Sequence, residues 1–227
     1  MPTEAEITRY REDGAVCLRN AIPMEWIERM RAAVDDDMAS PGPMVRINTP
    51  QGAPGLFFVD FQLWQRHPAA RAFVYESPAR EIVARLMGSQ EVVYYHDHLL
   101  VKEPGTQERT PWHHDQPYYP IDGEQVISLW TPLDPVDRET CVEYVKGSHR
   151  WGRWFQPKFF KQGGVDLQVQ DSRFEPLPDL DAERGEHEFL AWDMEPGDVI
   201  VFHALTLHGA SGNRSTDRRR RAWATRW

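Results

Sequence analysis

Cysteine is nearly absent from this chain: Cys17 and Cys141 are the only two in 227 residues, far apart and without a Cys-x-x-Cys spacing. A disulfide framework and a thiolate metal site are thereby excluded, and a reducing cytoplasm is the expected compartment. Basic charge is also in short supply. With 26 Lys and Arg against 35 Asp and Glu, the formal net charge is −9, so nucleic acid is not an expected partner. No apolar run approaches the roughly 20 residues of a bilayer-spanning helix, so no membrane partner is expected either. Residues 1–13 are rich in charge where a secretory leader would carry its apolar core. Internal repeats and low-complexity tracts are missing too, and the length suits one domain, 1–227, with a sizeable core.

Tryptophan, by contrast, is plentiful at nine residues, which suits a core or the wall of a small-molecule pocket. Residues 1–90 read as mainly helical. A helix is expected over 3–13, a short strand over 14–18, and a second helix from Pro23 to about residue 38, with Trp26, Ile27, Met30, Ala33 and Val34 on one face. The cluster Ser40-Pro41-Gly42-Pro43 ends it, and a third helix over 77–87 stops at Gly88. From residue 91 the pattern changes to short strands broken by Gly, Pro and Asp turns, as in an antiparallel barrel or sandwich. Strands are expected over 92–103, 110–116, 126–132, 141–145, 186–191, 199–203, 209–211 and 218–226. Residues 152–184 lack periodicity and exceed an ordinary loop, which predicts a lid or a substrate-facing insertion.

Chemistry concentrates at Trp112-His113-His114-Asp115. Two histidines and one carboxylate are the protein ligands of a non-haem Fe(II) centre that keeps positions open for other molecules. On an extended strand His113 and Asp115 share a face while His114 points away, so a third ligand has to come from another strand. Far downstream, Glu195-Pro196-Gly197-Asp198 makes a tight turn into an apolar strand ending at His203, with His208 five residues beyond.

Further pieces surround this pair in order. They are Glu12-Asp13-Gly14, Lys102-Glu103-Pro104-Gly105, Ser128-Leu129-Trp130-Thr131-Pro132-Leu133, Lys146-Gly147-Ser148-His149-Arg150, Pro196-Gly197-Asp198, and His208-Gly209-Ala210-Ser211-Gly212-Asn213 followed by four arginines. Together the motifs resemble those of the phytanoyl-CoA dioxygenase family, within the Fe(II)- and 2-oxoglutarate-dependent oxygenases, across nearly the whole chain. The resemblance implies a mainly β fold with flanking helices, a double-stranded β-helix or jelly-roll barrel, cupin-like, occupying 91–227. It makes His113, Asp115 and His208 the iron ligands. The family's distal histidine is followed by Gly and, five residues on, by Asn; that pattern selects His208 with Asn213 and leaves His203 a structural residue near the site.

The family's co-substrate arginine lies on the strand after the distal histidine, where Arg218, Arg219, Arg220 and Arg221 stand in a row. The Arg-x-Ala ending and the two-residue period of a strand favour Arg220, on the face of Ala222, with Arg218 sharing that face and Arg219 next if the register slips. Similar proteins also line this side of the pocket at the positions of Lys102 and Trp130. Departures from the pattern are His114, where Gln is usual between the ligands, and Lys146, where the turn usually begins with Pro.

The implied cofactors are Fe(II), 2-oxoglutarate as co-substrate, and O2. The implied reaction hydroxylates an unactivated C–H bond of a small organic metabolite and releases succinate and CO2. A carboxylate at Asp115 argues against halogenation. Alternatives are an acyl-CoA hydroxylase like phytanoyl-CoA dioxygenase itself, which the overall acidity disfavours, a cupin-like metal-binding protein that uses no 2-oxoglutarate, and a binding module whose site has decayed. Candidate substrate-facing residues are His96, His98, Tyr118 and Tyr119, together with Trp151, Trp154 and Phe155.

Overall fold

The computed structural model of the chain describes residues 1–158 and 171–227. Along the chain come α1 (Glu4–Asp13), β1 (Ala15–Leu18), α2 (Met24–Ala39), β2 (Arg46–Ile47), β3 (Phe57–Phe61), α3 (Leu63–Arg66), α4 (Pro68–Glu76) and α5 (Ala79–Met87). Then follow β4 (His96–Lys102), β5 (Thr110–His113), β6 (Ile127–Pro132), β7 (Val142–Val145), β8 (Trp154–Phe155), β9 (Phe174–Glu175), β10 (Phe189–Leu190), β11 (Val199–His203), β12 (His208–Ala210) and β13 (Arg220–Arg226).

Two antiparallel sheets carry the site. The larger has the order β1-β11-β6-β13-β4-β3-β2 and the smaller β10-β7-β12-β5. They face each other across a cavity in the manner of a jelly roll, and among the described residues no strand pairing closes them into one continuous barrel. The two-residue period of β13 shows how the layers are divided. Arg220, Ala222, Ala224 and Arg226 face the cavity, while Trp223 and, just past the strand, Trp227 enter the core shared with the helices. Helices α2, α4 and α5 cover that outer face, packing Ile27, Met30, Phe73, Val74, Ile82 and Leu86 against Leu99, Val101, Leu129 and Val201.

Local signals explain the helix ends. Thr3 forms a capping box, its hydroxyl accepting the Glu6 N–H at 3.3 Å while the Glu6 carboxylate accepts the Thr3 N–H at 2.7 Å. Helix α1 stops at Gly14, whose φ of +82° suits glycine and whose position leaves no room for a side chain beside His149 and Thr206.

Several boundaries differ from expectation. The long strand expected over 92–103 begins only at His96, and β10 is confined to Phe189–Leu190 after a turn of 3-10 helix at Arg184–Glu186. Strand β3 and helices α3 and α4 occupy a stretch in which no element was expected. Phe57–Phe61 is a short apolar run containing Asp60, and it forms a strand because Asp60, fully buried, finds the Arg66 guanidinium. Of the expected insertion over 152–184, residues 159–170 lie outside the described residues; its flanks pair as the parallel strands β8 and β9. Among the described residues no helix is long and apolar enough to cross a membrane.

Trp223 is fully buried and meets Phe73 of α4 edge-on at 4.9 Å, so it joins sheet to helix layer. Trp223→Ala is expected to cost about 3–5 kcal/mol in urea unfolding. Val93→Ala, at a residue 81% exposed, is expected to stay within about 0.5 kcal/mol. Equal midpoints for the two variants would contradict this division of the core.

Candidate active site

Strands β5 and β12 are neighbours in the smaller sheet, and His113 and His208 are direct cross-strand partners. Their rings lie 4.1 Å apart. Gly209 permits that approach, since a Cβ there would sit 3.1 Å from the Trp112 ring and 3.2 Å from the Thr110 carbonyl. Each imidazole is oriented by a carbonyl two residues back: Nδ1 of His113 lies 2.8 Å from the Pro111 oxygen and Nδ1 of His208 lies 2.9 Å from that of Thr206. A carbonyl only accepts, so Nδ1 carries the proton and Nε2 presents its lone pair to the site.

Asp115 reaches the same point by a route other than the one expected. The strand ends at His113 instead of running to Gln116, and Asp115 has helical backbone angles, φ −71° and ψ −40°, where the chain turns into a 3-10 segment at Gln116–Tyr118. Pro117 in that turn cannot donate to a strand ladder, which is why the pleat does not continue. The turn swings the carboxylate back beside His113. Asp115 Oδ1 lies 3.5 Å from His113 Nε2 and 3.8 Å from His208 Nε2, and the three ligand atoms fall within 4.8 Å of one another.

The other carboxylate oxygen is held from behind. Oδ2 accepts the Ser128 hydroxyl at 2.8 Å and the Arg226 guanidinium at 3.2 Å. Ser128 and Arg226 are register partners on β6 and β13. Burial pushes the Asp115 carboxyl up, but Arg226 and the two imidazoles outweigh it and hold the group well below the usual carboxylate range. Burial and the His113 ring push His208 down to about 3. The carboxylate is thus ionised and the His208 imidazole neutral near pH 7, the forms that bind a metal. Donor atoms about 2.1 Å from a first-row metal at right angles lie about 3 Å apart, so small movements bring this set to ligating distance. The residues fit a ferrous ion.

These ligands border a cavity of about 220 Å³ between the sheets. Lys102 and Arg220, cross-strand partners, line it with Thr110. Arg220 is buried and donates to the Thr140 carbonyl and, at 3.2 Å, to that of Ser211; burial lowers it to about 10. Lys102 donates to the Ser211 carbonyl at 2.9 Å and stands 4.4 Å from the Phe57 ring centre, with burial driving it well below its ordinary range. Along β13, Ala222 and Ala224 separate Arg220 from Arg226 and leave a trough walled by Trp130.

The other arginines of the run turn elsewhere. Arg218 pairs with Asp137 at 2.8 Å and does not share the Arg220 face, because it precedes the strand. Arg219 pairs with Glu103 and Asp35, and Arg221 with Asp134 and Asp35. Asn213 donates to the carbonyls of Lys102 and Arg218, tying the connection before β13 to β4.

His203 lies away from the three ligands, its ring engaged at both nitrogens: Nε2 donates to the Glu124 carbonyl at 2.7 Å and Nδ1 accepts the Leu205 N–H at 3.1 Å. His114 points away as expected and accepts the Phe155 N–H at 2.9 Å. His96, His98, Tyr118 and Tyr119 line the cavity. Trp151, Trp154 and Phe155 do not: Phe155 and Trp151 pack in a separate apolar cluster with Leu180 and Leu207, and Trp154 meets Phe174. Their side of the chain is drawn off by the β8–β9 pair. Sequence reasoning missed Ser128 and Arg226. The signal for Arg226 was present, since the alternation that selects Arg220 and Ala222 reaches it two steps later.

Residues 10–222 match the family described as Phytanoyl-CoA dioxygenase (PhyH). The chain is 28% identical over 131 residues to the peroxisomal phytanoyl-CoA dioxygenase of Bos taurus, covering 55% of this chain but only 36% of the bovine protein's length. Among solved structures it is similar to the non-haem α-ketoglutarate-dependent carbocyclase SnoK from nogalamycin biosynthesis, with TM-score 0.77 and 26% identity over 99% of this chain and 83% of that one. The epimerase SnoN, solved with Fe3+, α-ketoglutarate and nogalamycin RO, shares the fold at TM-score 0.73 and 18% identity over 98% and 82% of the two chains. With its motifs, fold and metal-ligand cluster in agreement, the chain belongs to the phytanoyl-CoA dioxygenase family of Fe(II)- and 2-oxoglutarate-dependent oxygenases.

Proposed function

We propose that the protein is a dioxygenase that hydroxylates an unactivated C–H bond of a small organic metabolite, with Fe(II) and 2-oxoglutarate, releasing succinate and CO2. What carries this is the convergence of His113, Asp115 and His208 beside a buried trough that also presents Arg220. In this reading the two Nε2 atoms and Asp115 Oδ1 would hold a ferrous ion. When bound, iron and keto acid supply the oxidising power.

The protein supplies the rest. Arg220 offers a planar fork matched to the distal carboxylate of 2-oxoglutarate, and Lys102 adds a second donor beside it. Ala222 and Ala224 keep the trough wide enough for the keto-acid chain. Trp130, Tyr144 and Phe202 wall it and exclude water. Ser128 and Arg226 grip one Asp115 oxygen so that the other faces the imidazoles, a contact of the kind that tunes metal affinity. A small substrate is favoured because the cavity of about 220 Å³ must also hold the keto acid. Solved relatives include a carbocyclase and an epimerase, so the scaffold alone does not select the outcome; hydroxylation asks of the substrate only a C–H bond within reach.

Adding 2-oxoglutarate is expected to quench tryptophan fluorescence only when Fe(II) is present, and a metabolite screen is expected to find substrates that stimulate succinate release. No iron-dependent binding of 2-oxoglutarate would overturn the reading. Asp115→Ala is expected to abolish both iron binding and succinate formation; full turnover in that variant would remove the triad. Arg220→Ala is expected to raise the 2-oxoglutarate KM by about thirtyfold or more, as for loss of one partner of a buried charge pair. Arg219→Ala, whose guanidinium pairs near the surface with Glu103 and Asp35, is expected to change it by about twofold at most. The reverse ranking would move the strand register. Arg226→Met, which leaves all three ligands in place, is expected to weaken iron binding by about 10- to 100-fold in a chelator competition.

A further inference from the structure

We propose that the substrate is a small organic anion, its apolar body lying against Phe61 and His98, a polar group meeting His98 Nε2, and its anionic group met by Arg46 and Lys158. This rests on the oxygenase reading above and adds to it the chemical class of the substrate.

The wall opposite the metal ligands is built by β3 and β4, whose inward residues include Val59, Phe61, His98 and Leu100. Phe61 and His98 are register partners, and their rings stack at 4.4 Å with a 19° interplanar angle. The result is a flat shelf. His98 is only 7% exposed, and its buried Nε2 has no protein hydrogen-bond partner among the described residues. A buried polar atom without a partner has lost its hydrogen bond to water, and a ligand group facing it would restore one. Burial and Arg226 keep this imidazole neutral, able to donate or to accept.

Two cations of the cavity lining select the anion. The guanidinium of Arg46, an exposed residue of the edge strand β2, stands 5.5 Å from the Phe61 ring centre. Lys158 lines the same cavity, its backbone located by the Tyr118 hydroxyl, which accepts its N–H at 2.7 Å and donates to its carbonyl at 2.6 Å. Among the described residues neither Arg46 nor Lys158 makes an ion pair, although most arginines of this acidic chain, including Arg66, Arg153, Arg184, Arg219 and Arg221, have carboxylate partners. The cavity as a whole is lined by five Lys and Arg side chains against the one carboxylate of Asp115, in a chain of net charge −9. Arg226 is committed to Asp115, and Arg220 with Lys102 to the keto acid, so Arg46 and Lys158 are the cations left for a second anion.

The test uses the full-length protein with Fe(II) and saturating 2-oxoglutarate under anaerobic conditions. The probes are butanoate, hexanoate, octanoate, benzoate, phenylacetate and phenylpropanoate, each paired with its primary amide. Binding is read from the visible charge-transfer band of the iron–keto acid chelate and from tryptophan fluorescence. Failure of that band to form in the absence of any probe would count against the oxygenase reading itself. Given the band, at least one carboxylate is expected to bind about tenfold or more tightly than its amide, as for a charge-assisted contact. Arg46→Gln and Lys158→Gln are each expected to remove about three- to tenfold of that preference while leaving amide binding in place. His98→Phe, which keeps the stacked ring, is expected to weaken carboxylate and amide alike by about tenfold, and His98→Gln to restore part of the loss. Carboxylates binding no better than amides, no member of either series binding, or a preference untouched by Arg46→Gln and Lys158→Gln would each overturn the proposal.

Discussion

Strand β13 is buried from Arg220 to Arg226 on both of its faces, and that constraint ties the candidate site to the core. Because side chains alternate, a shift of one residue would bring Trp223 into the cavity and send the Arg220 and Arg226 guanidinium groups into the apolar layer beneath α2, α4 and α5. Neither exchange is tolerable: one fills the trough, the other buries two cations among hydrocarbon. Register is therefore enforced by hydrophobic packing on one side of the strand and by charge on the other. The same packing that stabilises the fold also sets the position of Arg220 relative to the metal ligands.

The metal-ligand cluster depends on this strand through Arg226. Asp115 lies in a turn, where backbone pairing alone would leave its carboxylate free to rotate, and the Ser128 hydroxyl and Arg226 guanidinium fix which oxygen faces the histidines. Two carbonyls do the same for the imidazoles. Orientation of all three ligands thus comes from neighbours that never need to touch the metal, and the two that hold Asp115 sit on fully buried strands of the larger sheet.

Much of this was legible in the sequence, for identifiable reasons. His113 is marked by the His-x-Asp spacing, whereas His208 is distinguished from His203 by the resemblance to the family's His-Gly pattern with Asn five residues on, and the structure brings His208 and not His203 to His113 and Asp115. The family's Arg-x-Ala ending together with alternation favours Arg220 among four adjacent arginines, and Arg220 lines the cavity. What escaped were features set by partners distant in the chain. Strand β3 is defined by pairing with β4, and the pocket candidates Trp151 and Phe155 pack instead with Leu180 and Leu207 while Trp154 meets Phe174 across the β8–β9 pair. Asp115 does lie with His113 and His208, but a turn rather than a strand pleat brings it there.

Net charge misleads about the cavity in the same way. An excess of nine negative charges over the whole chain argues against anionic ligands only if charge is spread evenly, and here it is not. Surface acidic residues include pairs such as Arg153–Glu175 and Arg184–Glu143, while the lining of the cavity holds a single carboxylate, itself paired with Arg226. An anion inside the cavity is surrounded by five Lys and Arg side chains and that one carboxylate. For the proposed anionic substrate, discrimination rests on where the charges stand rather than on how many there are.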